Sequence, residues 1–357
     1  MKDLLKKITD VPKVSGSEDD IRNIIVNEIK EYVDTIEIDK FGNIISIIKG
    51  DKKPKVMLAA HMDEIGLMVK FIDEKGFIRF IPIGGINDQM LLNQRVTIKT
   101  SKGYIPGVIG SRPPHLMDEE EKKKLITYDK MYIDVGAKNY DDVLKMGIQK
   151  GDSIFFTRIF TELANNNISA MSLDNSVGCT ILISLIKNLK KVPAELYTVF
   201  TTQEEVGLKG ATVCSYSINP DVALAVDIEI AGDYPEIKKE EADSEIGKGT
   251  SFVMSDALGR GLIIHPQVKK WLLDTAKDLN IPYQLHVGGK GGTTDASSIR
   301  LAREGIPTGA VSVPIRYAHT PIEVVNLIDM ENTMTFLKFA IEKVNKYFPP
   351  VQLEIKG

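Results

Sequence analysis

The chain has 357 residues, 43% of them hydrophobic and 26% charged, with 28 Gly and 16 Pro spread along it; wholesale disorder is excluded, and there is room for one large domain with an insertion or for two ordinary ones. Its 45 basic and 49 acidic side chains give a net charge of −4, so no basic field draws it to nucleic acid or to an anionic membrane surface. No apolar run is long enough to span a bilayer and residues 1–7 lack the apolar stretch of a signal peptide, so a cytoplasmic protein is expected.

In chain order, residues 15–20 (Ser-Gly-Ser-Glu-Asp-Asp) read as an N-cap ahead of an amphipathic helix carrying Ile21, Ile24, Ile25, Ile29 and Val33. Residues 36–39 and 44–48, turning at Gly42 and Asn43, predict a hairpin, and residues 56–60 a buried central strand that delivers His61 at its end. The texture then changes. Short alternating segments at 77–81, 95–100 and 153–156, punctuated by Gly84, Gly85, Gly103, Gly107 and Gly110, predict a small β domain inserted at residues 67–163. Its one helical signal lies near 141–146, and the charge run 118–124 is expected to be a solvated surface loop.

Beyond residue 167, helix and strand alternate. Helices are predicted at 174–189, 266–279, 296–303 and 330–347, and strands at 196–201, 222–226, 283–287 and 309–313. The alternation predicts an α/β domain built from residues 1–66 and 164–357, with a mixed, mostly parallel sheet sandwiched by helices.

Five residues able to bind a metal, His61, Asp174, Glu205, Asp227 and His319, each lie where an apolar run gives way to a polar loop or a helix start. In open α/β sheets the ligand crevice lies beyond the carboxyl ends of the strands, where His61, Glu204, Glu205 and Asp227 all fall. Asp63, two residues past His61, is on hand to orient the imidazole, because a ligating histidine commonly donates its other ring N–H to a carboxylate. The same pair also reads as a strand-end histidine with an ordinary loop acid. Asp174 opens a helix, which lets it act as N-cap, as a bridge between two cations, or as both. Glu204 and Glu205 would point to opposite faces if their strand continued, so the strand must end there for both to reach one site. Buried side by side they repel; a cation resolves the conflict, with Glu205 as ligand and Glu204 left as general base, the alternative being a solvated turn.

Of the five histidines, His286 within a strand and His265 before a helix-starting proline read as structural, while His115 in the inserted segment is a candidate substrate-side contact. The glycine-rich run 288–292 does not match a phosphate loop and reads as a flexible turn and helix cap, with Asp295 beyond it a candidate contact to substrate or to the ligands. Cys179 and Cys214 are isolated thiols with no catalytic role.

Residues 60–66 (Ala-His-Met-Asp-Glu-Ile-Gly), 173–175 (Leu-Asp-Asn), 202–207 (Thr-Gln-Glu-Glu-Val-Gly), 226–227 (Val-Asp) and 316–321 (Arg-Tyr-Ala-His-Thr-Pro) resemble the tetrahedral metallo-aminopeptidases, a family that includes glutamyl and deblocking aminopeptidases. The likeness covers essentially the whole chain and implies a zinc-exopeptidase-like fold. It departs at 292–296, where Gly-Thr-Thr-Asp-Ala replaces Gly-Thr-Asp-Ala and leaves the ligands untouched. By resemblance, His61, Asp174 and Asp227 hold one divalent cation and Asp174, Glu205 and His319 the other, zinc or cobalt, with Asp174 as bridge. Glu204 is the base and Asp63 its catalytic companion. Peptide substrates, dimerisation through the inserted domain and assembly into tetrahedral dodecamers are further implications. Rival readings are a carboxypeptidase or deacylase on the same scaffold, a scaffold with a structural metal, and a glycoside hydrolase, although adjacent acids are ill placed to flank a sugar bond at roughly 5–9.5 Å.

Overall fold

The computed structural model describes residues 1–51, 53–289 and 292–349. Apolar side chains at helical spacing form the first two helices, α1 (Lys2–Thr9) and α2 (Asp19–Ile29), which bury Leu5, Ile8, Ile21, Ile25 and Ile29. The expected serine cap on α2 is not made. Glu18 takes the N-cap position without capping the helix, and Ser15 turns its hydroxyl away to Asp63. Next come β1 (Thr35–Ile38) and β2 (Ile44–Ile48), the predicted hairpin, and β3 (Lys55–His61), buried along nearly its whole length.

Six strands then close into a barrel: β4 (Gly66–Ile72), β5 (Ile78–Ile83), β6 (Arg95–Thr100), β7 (Gly103–Gly110), β8 (Tyr132–Asp134) and β9 (Ser153–Phe156). Their spatial order is β4-β5-β8-β7-β6-β9, around a core that includes Leu67, Ile78, Ile98, Ile133 and Ile154. Three short helices decorate it, α3 (Asp88–Leu91), α4 (Glu119–Lys122) and α5 (Tyr140–Lys145). The charge run is therefore not a plain loop. Asp118 and Glu121 form a reciprocal capping box, and pairs from Glu119 to Lys122 and from Glu120 to Lys123 brace the single turn on the surface.

The rest of the chain is β10 (Thr161–Glu162), β11 (Asn167–Ala170), α6 (Leu173–Asn188), β12 (Glu195–Thr201), α7 (Lys209–Ile218), β13 (Val222–Ile230), β14 (Thr250–Ser255), α8 (Pro266–Leu279), β15 (Tyr283–Val287), α9 (Ala296–Ile299), β16 (Thr308–Arg316), β17 (Glu323–Asn326), α10 (Leu327–Glu342) and α11 (Val344–Tyr347). The large sheet runs β1-β2-β12-β3-β13-β16-β17-β11-β10, with β14 against β16 and β15 outside β14. Its centre, β12-β3-β13-β16, is parallel and its margins are largely antiparallel, the mixed sheet expected. One face packs on α1, α2, α6, α8 and α10, and the other on α7 and α9.

Three boundaries differ from the sequence reading. β13 does not stop before Asp227 but runs on to Ile230, because β16 is equally long and pairs Asp227 with Ser312 and Ile230 with Ile315. The helix expected over 296–303 is the single turn α9, and the C-terminal helix breaks at Lys343. Lys290 and Gly291 of the glycine run lie outside the described residues. No helix among the described residues is long and apolar enough to cross a membrane.

Candidate metal centre

Parallel strands deliver the site. β3 ends on His61, which pairs with Thr201 at the end of β12, so the loop leaving β12 is released beside the imidazole. Gln203 takes a positive φ of 53°, the strand ends as the two acids require, and Glu204 and Glu205 both enter the same space. Asp227 comes from β13, the other parallel neighbour of β3. His319, on the loop between β16 and β17, approaches from the opposite side, its Nδ1 2.8 Å from the carbonyl oxygen of Gly85 in the loop after β5. The barrel thus contributes to the site.

Asp174 is not the cap of its helix. Its φ and ψ of −78° and 105° are non-helical, and the capping passes to Asn175, whose Oδ1 accepts from Gly178 N at 2.8 Å while Nδ2 donates to the Val226 carbonyl at 2.9 Å. Both Asp174 oxygens are left for other partners. Oδ1 lies 3.1 Å from His61 Nε2 and Oδ2 lies 3.4 Å from His319 Nε2. His61 Nε2 is also 3.7 Å from Asp227 Oδ1 and 3.9 Å from Glu204 Oε2, and His319 Nε2 is 3.4 Å from Glu205 Oε2. Two triplets with metal-ligand spacing emerge: His61, Glu204 and Asp227, and Asp174, Glu205 and His319. All six side chains meet in one place.

A second layer of groups holds them. The Asp63 carbonyl and Oδ1 lie 3.2 and 3.5 Å from His61 Nδ1, which places the ring proton there and turns Nε2 to the acids. Asp63 Oδ1 accepts from Glu204 N at 3.0 Å, and Oδ2 accepts from Glu205 N at 3.3 Å and from Ser15 Oγ at 2.6 Å. Glu18 accepts from the N–H groups of Gly16 and Gln203. Glu323, wholly buried at the start of β17, accepts from Asp174 N at 3.2 Å and from His319 N at 2.8 Å, so one carboxylate sets two of the candidate ligands. Ser15, Glu18, Gly85 and Glu323 were missed in the sequence. A buried acid opening an apolar strand four residues after His319 was the one signal available.

Burial shapes the charge. Glu204 and Glu205 are pushed up, Glu205 to about 8, first by burial and then by the carboxylates crowded around them. Burial opposes a charge on His319, yet Asp174 and Glu205 hold it up at about 10. His61 is likewise raised against burial by Glu204, Asp174 and Asp227, and Asp174 is held below the ordinary carboxylate range by the two imidazoles despite its burial. Four acids are thus packed together with no Lys or Arg among the described residues lining the cleft. Protons on the two histidines stand in for missing positive charge. The donors are nitrogen and oxygen alone, since Cys179 gives its S–H to the His61 carbonyl and burial pushes its thiol up to about 12. This donor set fits divalent ions of the zinc and cobalt kind.

The cleft holding these groups has a volume of about 640 Å³. Two candidate substrate contacts do not line it. His115 is exposed in a short turn of the barrel (Pro114–Leu116). Asp295 is 1% exposed, accepts from Thr201 Oγ1 at 2.5 Å and is pushed up to about 7 by burial, behind the ligands rather than at the substrate's side. His286, read as structural, does line the cleft, with Nε2 3.1 Å from Glu229 Oε1.

The profile of the M42 glutamyl aminopeptidase family matches residues 42–336. The chain belongs to that family. This M42 member is 36% identical to the lysyl aminopeptidase of Pyrococcus furiosus over 344 residues, spanning 96% of this chain and 97% of that protein. Its fold superposes on aminopeptidase APDkam598 from the archaeon Desulfurococcus kamchatkensis with a TM-score of 0.92, at 41% identity over 99% of this chain and 98% of that one. With the TET1 peptidase of Pyrococcus horikoshii, which can assemble into a tetrahedron or a large octahedral shell, the TM-score is 0.86, at 34% identity over 95% and 98% of the two chains.

Proposed function

We propose that this M42 chain is a two-metal aminopeptidase that removes residues from the N-termini of peptides. His61, Asp174 and Asp227 would hold one divalent cation and Asp174, Glu205 and His319 the other. The observation that carries the reading is Asp174, whose two oxygens face different imidazoles, as a bridging carboxylate must. Bound zinc or cobalt would supply a Lewis acid for the scissile carbonyl and make water acidic enough to attack near neutral pH.

The chain's own groups do the rest. Glu204, held by Asp63 through its backbone N–H, takes the proton of the attacking water and passes it to the leaving amine. Asp63 is a positioning residue, fixing the His61 ring and the backbone of both glutamates. We assign residues 67–163 to dimerisation and propose a tetrahedral dodecamer of such dimers, a reading in keeping with the TET1 relative's capacity to assemble into a tetrahedron. The N-terminal side chain is not given by membership, since the family description says glutamyl and the Pyrococcus furiosus relative is lysyl.

Glu204→Gln should retain its full metal content and lose about 10²–10⁴-fold in kcat on aminoacyl anilides, the range for a general base. Chelation should abolish wild-type turnover and zinc or cobalt restore it. Unchanged turnover in the variant refutes the base, and cleavage of N-acetylated substrates alone would make the enzyme a deacylase.

A further inference from the structure

His319 reaches the centre from a turn that its own sequence does not favour. Tyr317 and His319 both take a φ of 60°, a left-handed conformation that side chains other than Gly and Asn seldom adopt, and residues 316–321 contain no glycine. Such a turn persists only where its surroundings hold it. Beyond the imidazole, Glu323 accepts from His319 N at 2.8 Å, and within the turn Thr320 Oγ1 donates to the Tyr317 carbonyl at 2.7 Å.

The entry to the turn is held from 83 positions earlier in the chain. Pairing of β13 with β16 ends at Ile230 and Ile315, one residue short of Arg316. There Arg316 forms a two-pronged pair with Asp233, Nε donating to Oδ1 at 2.9 Å and Nη2 to Oδ2 at 2.6 Å. The two side chains are 26% and 16% exposed, so water screens the pair only in part. One residue on, the rings of Tyr234 and Tyr317 meet edge to face with centroids 5.0 Å apart.

Asp233 is a fixed post because the connection 231–249 is itself braced. Gly232 N donates to the Ser244 carbonyl at 2.7 Å, and a Cβ on Gly232 would sit 1.9 Å from the Ala242 carbonyl oxygen, an approach that only glycine permits. Ala231 and Ile246 pack with Val324 of β17, and Asp329 of α10 accepts from Gly249 N at 2.7 Å. The clamp thus runs from a braced loop, through a planar guanidinium, to the backbone just ahead of His319.

We propose that Asp233, acting through Arg316, positions His319 and so sets the affinity of the cation that His319 would share with Asp174 and Glu205. The inference rests on the two-metal reading of the centre and adds to it a residue that touches neither cation.

The test is stepwise zinc binding to the full chain in competition with a chelator, with the unfolding midpoint of the metal-free chain as a check on the fold. Asp233→Asn should weaken one of the two ions by about tenfold, the low end of what losing a partner behind the ligands costs a metal site, and leave the other unchanged. Arg316→Lys keeps the charge but not the fork and should weaken the same ion. The double variant should be no worse than Asp233→Asn alone, because both changes break one pair. Placed in the His319→Ala chain, Asp233→Asn should have no further effect on the ion that remains, an outcome that a general loss of stability does not produce. A loss spread over both ions, no loss at either, or a further loss in the His319→Ala chain overturns the positioning role and leaves the two-metal reading standing. A wild-type chain that binds fewer than two ions overturns both.

Discussion

Asp174 shows how much of the centre depends on a single side chain being released from an ordinary duty. Because Asn175 caps α6, both Asp174 oxygens are free to face His61 and His319. The six candidate side chains that the structure brings together were legible in the sequence because each sits where an apolar run ends, a junction that water exposure alone does not explain. Glu323, Ser15 and Glu18 were not, since their work is to hold backbone N–H groups and another acid, and no side-chain pattern records that. A pH dependence follows. In the metal-free chain His319, held up at about 10, and Glu205, at about 8, both carry a proton at neutral pH. Each must lose it to bind a cation, so metal binding releases protons and affinity rises with pH over roughly pH 6–9. Titration calorimetry in buffers of different ionisation enthalpy should count about one proton or more per ion; an affinity flat across that window, with none released, would contradict the electrostatics.

Elements with strong periodicity, such as α8 and the β1–β2 hairpin, are readable from residues alone. α7 is not, because Gly210, the β-branched Thr212 and Val213, and Cys214, Ser215 and Ser217 give it poor intrinsic helicity. It forms by packing Ala211, Cys214 and Ile218 against the sheet, a tertiary effect outside any local window. The end of β13 was misjudged for a similar reason, its length being set by β16 and not by its own polarity. At the start of α6, Asn175 is fully buried and joins the helix to β13 through Gly178 N and the Val226 carbonyl. Asn175→Ala leaves both groups short of a partner and should cost about 2–3 kcal/mol, read from urea unfolding. A loss below about 0.5 kcal/mol would show that the cap is not needed.

At the scale of the whole molecule, the inserted barrel is tied to the sheet domain by a buried ionic cluster. Glu64, just after β3, meets Arg158 from the segment after β9 and lies 3.6 Å from Lys13 Nζ, while Arg158 also donates to the Thr9 carbonyl. Burial pushes Lys13 down to about 8 even with Glu64 beside it, whereas Glu64, though buried, is held low chiefly by Arg158. The glutamate is therefore the indispensable member. Glu64→Gln leaves two buried cations without a counter-charge and should lower stability by about 3 kcal/mol in the same unfolding assay; an unchanged midpoint would mean that the barrel is anchored elsewhere. Elsewhere the barrel's Gly85 carbonyl lies 2.8 Å from His319 Nδ1, which links the insertion to the candidate metal centre as well. The proposed pair of cations bridged by Asp174 is tested most directly by counting metal. After loading with zinc or cobalt and removal of excess, the wild-type chain should carry two ions, His319→Ala no more than one, and Asp174→Ala neither in full occupancy. An Asp174→Ala chain that still held two ions would contradict it.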